Sequence, residues 1–187
     1  MAEICEISDI QNKVLSYKRR TLAATPRVAA VLLLLVPAGS QHNVILTKRM
    51  RSLEHHGGEV SFPGGGVENG ESLCSAALRE TCEEIGICGD SVKLLGALDD
   101  EMSRWGHRVT PFVGIGGGTD FRRQQTEVDR IYNVPLAHFV SRQTYWTEKW
   151  FRGRESRTVH FFRWENDIVW GLTALILDKF VHLLSQE

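Results

Sequence analysis

The sequence predicts an α/β fold in which helices cover a mixed β-sheet, and three observations carry that expectation. Apolar runs with strand character recur along the chain, three segments read as helices, and the two kinds of element are interspersed rather than strictly alternating. Strict alternation would have indicated a doubly wound parallel sheet. At 187 residues, 42% hydrophobic and 24% charged, the chain has the size of about one domain and an ordinary globular composition. No internal repeat, low-complexity tract or linker interrupts it. Residues 1–187 are therefore expected to form a single domain, with 1–25 as an N-terminal helical extension.

Within that extension Ile4, Ile7, Ile10, Val14 and Tyr17 recur at three- and four-residue steps, a helical period over residues 4–20. Thr25-Pro26 leads into "VAAVLLLLV", Val28 to Val36, a buried-strand pattern. A turn at Pro37, Gly39 and Ser40 and a second strand, "NVILTKR", make residues 28–48 a hairpin. The next stretch, "MRSLEHHGGEVSFPGGGVENG", reads as a polar, glycine-rich loop. Its length of about 20 residues is unusual for a structureless connection and points to function.

Residues 72–85 return to a helical pattern, with Leu73, Ala77, Leu78, Thr81, Cys82 and Ile85 on one side and Gly86 as terminator. "VKLLGALDD", "HRVTPFVGIGGG", "DRIYNVPL" and "TVHFFRW" follow as strands, and Leu172 to Leu184 is a closing helix. The glycines at 114–118 lack a following helix, so they mark a strand end rather than a dinucleotide fingerprint.

A formal charge of -1 gives no global attraction to nucleic acid or to an anionic membrane, and neither is expected as a partner. An anionic small-molecule substrate must then be met by local positive charge or metal. Val28 to Val36 is about half of the ~20 residues that a membrane span needs. Neither an apolar signal core nor the bias of a transit peptide appears, so the cytoplasm is the default location. Cys5, Cys74, Cys82 and Cys88 form no C-x-x-C pair and read as reduced, inert thiols.

One short segment stands out. On a helix Glu80, Glu83 and Glu84 lie at i, i+3 and i+4, so three carboxylates share one face. Each like-charge pair costs about 0.2 to 0.5 kcal/mol even when solvated. Arg79 can pair with Glu83, but one arginine leaves most of the charge uncompensated. A solvated acidic face is the plain explanation of such a cluster. Here the helix is preceded by "FPGGGVENGE", whose backbone can approach a phosphate or metal closely, and oxygen ligands suit Mg²⁺ or Mn²⁺.

From Gly65 to Ile87 the chain resembles the Nudix box: a glycine, five residues, a glutamate, seven residues, then R-E-x-x-E-E-x-G and an aliphatic residue. Gly65, Glu71, Arg79, Glu80, Glu83, Glu84, Gly86 and Ile87 fill the fixed positions, and Thr81 stands where the family usually has a bulky aliphatic. The resemblance implies a Nudix fold, a mixed β-sheet sandwiched between α-helices, and hydrolysis of a nucleoside diphosphate linked to another moiety. It implies that Glu80, Glu83 and Glu84 bind the divalent ion, that the Gly65 carbonyl adds a ligand, and that Glu71 and Arg79 brace them. Either Glu80 or Glu84 would serve as general base, with Glu101 and Glu127 as the loop acids available instead.

Upstream, "LTKRMRSLEHHGGEVSFPGG" resembles the additional motif of coenzyme A pyrophosphatases. Leu46, Thr47, Arg49, Gly58, Phe62, Pro63, Gly64 and Gly65 match in register, while Met50 and Glu54 depart from it. Later segments continue the likeness, which spans about residues 27–184. It implies cleavage of coenzyme A or its derivatives into 3′,5′-ADP and 4′-phosphopantetheine products. Arg49, Lys48, Arg51 and His56, with Gly64 and Gly65, are then the candidates for substrate binding. Adjacent residues on an extended chain point opposite ways, so His55 and His56 are not read as a metal pair. Trp105, Trp146 and Trp150 could stack on adenine, although packing is the commoner role. Two alternatives stay open: a Nudix hydrolase of a dinucleotide or nucleoside triphosphate, and a non-catalytic binding module, which would be expected to have lost box carboxylates. A homodimer is left open as well.

Overall fold

The computed structural model describes residues 6–52, 56–118, 120–153 and 155–186. Ile4, Cys5, Glu54 and His55, which figure in the expectations above, lie outside the described residues.

The long apolar run forms β1 (Val28–Ala38), which turns into β2 (Gln41–Arg49) to give the expected hairpin, with Leu35 opposite Val44. Along β1, Leu33 and Leu35 join one buried cluster, and Leu32, Leu34 and Val36 join another. A strand alternates its side chains between two faces, so a run that is apolar at every position is one covered on both sides. The first cluster includes Ile176, Leu177 and Phe180 of the closing helix α4 (Leu172–Leu184), and Ile10 and Val14 of the first helix α1 (Ile7–Ser16). The second includes Ala76, Ala77 and Ile85 of α2 (Leu73–Ile85).

The loop after β2 is not structureless. It contains β3 (Val60–Ser61), paired with β2, and β4 (Gly64–Gly66), paired antiparallel with β1. Backbone pairing by three consecutive glycines needs no side-chain pattern, which is why the strand is invisible to periodicity. Beyond α2 come β5 (Val92–Ala97), β6 (Glu101–Met102), β7 (Arg108–Gly116) and β8 (Val128–Pro135). The path through the sheet is β3-β2-β1-β7-β5, with β4 on β1, β6 on β7 and β8 on β2. Only the pairing of β1 with β7 is parallel, so the sheet is mixed, as expected, and helices lie on both of its faces.

Three features depart from the expectations. The first helix spans 7–16, because the chain is extended from Tyr17 and its polar groups bond the carboxylates that follow β5. Tyr17 donates to Asp99 at 2.9 Å, and the Arg20 and Leu22 amides bond Asp99 and Asp100 at 2.7 and 3.0 Å. Secondly, a separate three-stranded sheet is present, built from β9 (Tyr145–Arg152), β10 (Glu155–Trp164) and β11 (Asp167–Trp170), after a short helix α3 (Leu136–Val140). Only β10 carried a clear strand pattern; β9 mixes charged and aromatic residues without alternation.

Thirdly, Cys82 and Cys88 are disulfide-bonded, with 4.4 Å between their α-carbons, rather than both reduced. Gly86 ends α2 in the left-handed conformation at φ 76°, which turns the chain back and brings Cys88 beside the last turn. That reversal, not the spacing, makes the pair. Cys74 is a free thiol whose pKa is raised by burial, in keeping with an inert role.

The three glycines of β4 differ in what they tolerate. Gly64 has φ 149°, and a Cβ there would lie 2.4 Å from the Ala30 carbonyl oxygen and 2.5 Å from the Val31 α-carbon. A Cβ on Gly66 would meet nothing within 4 Å. Gly64→Ala is therefore expected to destabilise the chain by about 1–3 kcal/mol or more, through overpacking against fixed backbone, and Gly66→Ala by about 0.5 kcal/mol or less. Urea unfolding of the two variants beside the parent measures the difference; equal midpoints would contradict it.

Candidate active site

Helix α2 begins at Ser72, whose hydroxyl accepts from the Ser75 amide at 3.0 Å as an N-cap. Its inner face carries Ala77, Thr81, Glu84 and Ile85, all buried. Thr81, placed where a bulky aliphatic would be usual, donates its hydroxyl to the Ala77 carbonyl at 2.7 Å, so its burial leaves no polar group unsatisfied. At the other end the Arg122 and Gln124 amides donate to the carbonyls of Ile85 and Glu84 at 2.8 and 2.9 Å. Those bonds satisfy terminal carbonyls and lay the 122–127 segment against the acidic turn.

Arg79 gathers the charges. It bonds both oxygens of Glu71 at 3.0 and 3.1 Å, Glu80 at 3.0 Å, the expected i+4 partner Glu83 at 3.2 Å, and the Gly66 carbonyl at 3.1 Å. Hydrogen bonding by Arg79 holds the Glu71 pKa below its ordinary value. Burial pushes Glu80 up, against the opposing pull of Arg79. Gly65 sits so close to this cluster that a Cβ would lie 2.4 Å from the Glu80 carboxylate.

Glu84 is in a different position. It is 3% exposed, and burial pushes its pKa up to about 8, with the Arg49 charge opposing and Glu80 and Glu127 adding to the rise. Arg49 approaches its Oε1 at 3.6 Å, while Oε2 and the Arg49 Nε are buried without a hydrogen-bond partner. Among the described residues no three acidic or imidazole side chains converge as a preformed metal cage. The donor set nevertheless fits a hard dication: oxygen donors, more negative charge than Arg79 and Arg49 neutralise, and one buried carboxylate oxygen that nothing occupies.

A cleft of about 400 Å³ opens beside this turn, between the main sheet and the three-stranded sheet. It joins Arg49, Gly64, Gly65 and Gly66 to a group containing Trp105, Trp150 and Trp170. Of the candidates for substrate binding, Arg49, His56, Gly64 and Gly65 line it. His56 Nδ1 is 2.7 Å from Glu59, which also accepts from Arg104 at 3.0 Å. Lys48 does not face the cleft but bonds Asp167 at 2.7 Å, tying β2 to β11. Arg51 is exposed and lies beside Gly58, away from the lining. Glu101 is engaged by Lys179, and of the two loop acids only Glu127 is electrostatically felt by Glu80 and Glu84. Sequence reasoning had not singled out Glu59, Arg104, Arg157 or Trp170. They come from four separate segments, and no local pattern marks them.

A family model described as the NUDIX domain matches residues 25–136. A Photorhabdus laumondii protein described as an uncharacterized Nudix hydrolase, NudL, is 35% identical over 171 residues, covering 90% of this chain and 88% of its own. A Yersinia pestis protein of the same description is 36% identical over 166 residues, covering 88% of this chain and 81% of its own. Among solved structures, a binary complex of the C. elegans Ap4A hydrolase aligns with a TM-score of 0.51 at 20% identity, over 62% of this chain and 84% of that one. It shows likeness of fold. With box, fold and relatives in agreement, this chain belongs to the Nudix hydrolases, a family of pyrophosphohydrolases.

Proposed function

We propose that the chain hydrolyses the pyrophosphate bond of coenzyme A or its derivatives, giving 3′,5′-ADP and (acyl-)4′-phosphopantetheine. One observation supports this reading most. The segment that resembles the coenzyme A pyrophosphatase motif, Leu46 to Gly65, supplies Arg49 against Glu84 and Gly65 against Glu80, so the substrate-selective motif and the hydrolytic box meet at the mouth of one cleft. A coenzyme A substrate is intracellular, which keeps the cytoplasm as the proposed compartment even though the Cys82–Cys88 bridge removes the support of reduced thiols.

Glu80, Glu83 and Glu84 would hold Mg²⁺ or Mn²⁺, with the Gly65 carbonyl as a further ligand. When bound, the ion would offset the charge of the pyrophosphate and acidify the attacking water. Arg79 keeps Glu80 and Glu83 near one another while Glu71 fixes its guanidinium, so Glu71 acts through Arg79 as a positioning residue. Glu83, 58% exposed, is the carboxylate freest to turn toward solvent or substrate. The box glutamates remain the proposed base, and Glu127 is the loop acid placed to assist. Arg49 can exchange its contact with Glu84 for a substrate phosphate, since their 3.6 Å separation is loose.

A panel of coenzyme A, dinucleotides and nucleoside triphosphates, incubated with Mg²⁺ or Mn²⁺ and read by mass spectrometry, should show 3′,5′-ADP released from coenzyme A fastest. Faster cleavage of another member would replace this substrate. Saturable coenzyme A binding without hydrolysis of anything would make the protein a binding module. Glu83→Gln is expected to lower turnover by about 10²-fold or more without unfolding the protein. Gly65→Ala, which displaces Glu80 rather than backbone, should cut turnover by up to about 10²-fold, with denaturant stability close to the parent.

Burial of Glu84 also has a sign in stability. Its folded pKa of about 8 lies above its ordinary value of 4.5, so between those values the folded state binds the proton more tightly. Stability of the metal-free protein should be fully present below pH ~4.5 on this account and fall as pH rises to about 8. Glu84→Gln should abolish turnover yet raise the melting temperature in EDTA at pH 8 and flatten this slope. A variant less stable than the parent at pH 8 would contradict the assignment.

A further inference from the structure

Two large indoles stand exposed on the cleft, Trp105 at 52% and Trp150 at 42%. Aromatic surface left in water and grouped with other rings marks a binding surface. These rings are grouped. Trp150 lies 5.6 Å from Trp170, and the Arg104 guanidinium sits 4.9 Å from the Trp105 ring centre and 5.1 Å from that of Trp170. Glu59, the acidic side chain of this lining, is already shared between Arg104 and His56. Arg157 pairs across the strands with Trp150, lines the same cleft, and has no hydrogen-bond or ion-pair partner among the described residues.

Grouped indoles with surplus guanidinium charge present two complementary chemistries at one place. An indole face accepts a planar base, and an unpaired guanidinium fork accepts a phosphate monoester dianion bidentately. A pantetheine arm offers neither a ring nor a second dianion. The sequence had also offered Lys48 and Arg51 for an additional phosphate, but Lys48 is committed to Asp167 and Arg51 is off the cleft.

We propose that the indole-lined part of the cleft is a nucleotide subsite, in which a purine stacks on Trp105 and Trp150 while Arg157, on the same cleft as Arg104, binds a phosphate monoester on the ribose. Naming that nucleotide rests on the coenzyme A reading, where it is adenosine 3′,5′-bisphosphate with its 3′-phosphate on Arg157. The pantetheine side then leaves the cleft by the box, with the scissile pyrophosphate between them at Arg49 and Gly65.

The full chain in EDTA, titrated with 3′,5′-ADP, 5′-AMP and 4′-phosphopantetheine, reports binding through tryptophan fluorescence without turnover. 3′,5′-ADP should quench saturably and bind about tenfold or more tighter than 5′-AMP. Arg157→Ala should erase most of that preference while leaving 5′-AMP affinity unchanged. Trp105→Phe should weaken both nucleotides and remove part of the quench. Both positions are exposed, and circular dichroism checks that the variants remain folded. Should Arg157→Ala misfold, Arg157→Lys, which keeps the charge but loses the fork, should still reduce the preference. Quenching by 4′-phosphopantetheine in place of 3′,5′-ADP, or an unchanged preference in the Arg157 variants, would overturn the subsite. If 3′,5′-ADP binds as described but coenzyme A is not cleaved with metal present, the subsite stands and only the substrate assignment falls.

Discussion

The constraint on which the rest of this site depends is that Glu84 cannot leave the interior. Its neighbours on the inner face of α2, Ala77, Thr81 and Ile85, are buried against the sheet, and Ala77 and Ile85 pack with Ala30, Leu32 and Leu34 of β1. Rotating the helix far enough to hydrate Glu84 would expose that apolar face, at about 25 cal/mol for each Å² uncovered. The carboxylate therefore stays 3% exposed, and its charge must be answered locally or suppressed by a proton. Arg49 answers it only in part at 3.6 Å. The Gly64 amide adds a hydrogen bond, yet Oε2 has no partner, so the buried carboxylate is destabilising when ionised, a cost that the cation proposed above would offset.

The glycines before the helix follow from the same constraint. For the loop to reach Glu80 and Glu84, β4 must lie on β1 with its backbone in contact, and Gly64 and Gly65 leave no room for a side chain on either side. The cost is a floppy segment in the unfolded chain, and β-pairing with β1 recovers order in the folded one. Arg79 completes the arrangement by bonding the Gly66 carbonyl and Glu71 at once, which fixes the glycine loop to the helix.

Legibility of the sequence divides along local and distant determinants. The box was readable because one helix turn and one glycine loop, contiguous in the chain, hold all its residues; the Arg79–Glu83 pair follows from i,i+4 geometry alone. The β1–β2 hairpin and α4 were readable from apolar pattern. What stayed hidden depends on the tertiary arrangement: β4, whose glycines carry no pattern, the Cys82–Cys88 pair created by the turn at Gly86, and the three-stranded sheet. Lys48 shows the limit most clearly. It belongs to the motif that suggested phosphate binding, yet Asp167, 119 positions away, takes its charge.

That ion pair also joins the two sheets that wall the cleft. Lys48 and Tyr132 both bond Asp167, so β2 and β8 grip β11 and set the three-stranded sheet as the far wall of the cleft. The acidic turn belongs to the near wall, and its geometry is indifferent to what the far wall presents. A pyrophosphate is the same group in every nucleoside diphosphate derivative, so the near wall needs only charge and close backbone. Discrimination has to come from groups that meet the rest of the ligand; on the reading proposed above those are Arg49, the loop at 104–105 and side chains of β9, β10 and β11. The far wall is held by the part-buried Lys48–Asp167 pair, the Tyr132–Asp167 bond and the packing of Phe162 and Val169 into the core, and none of these residues belongs to the box. A box that identifies the reaction is therefore silent on the substrate for a structural reason: the side chains proposed to choose, Arg49 and those across the cleft, lie outside it.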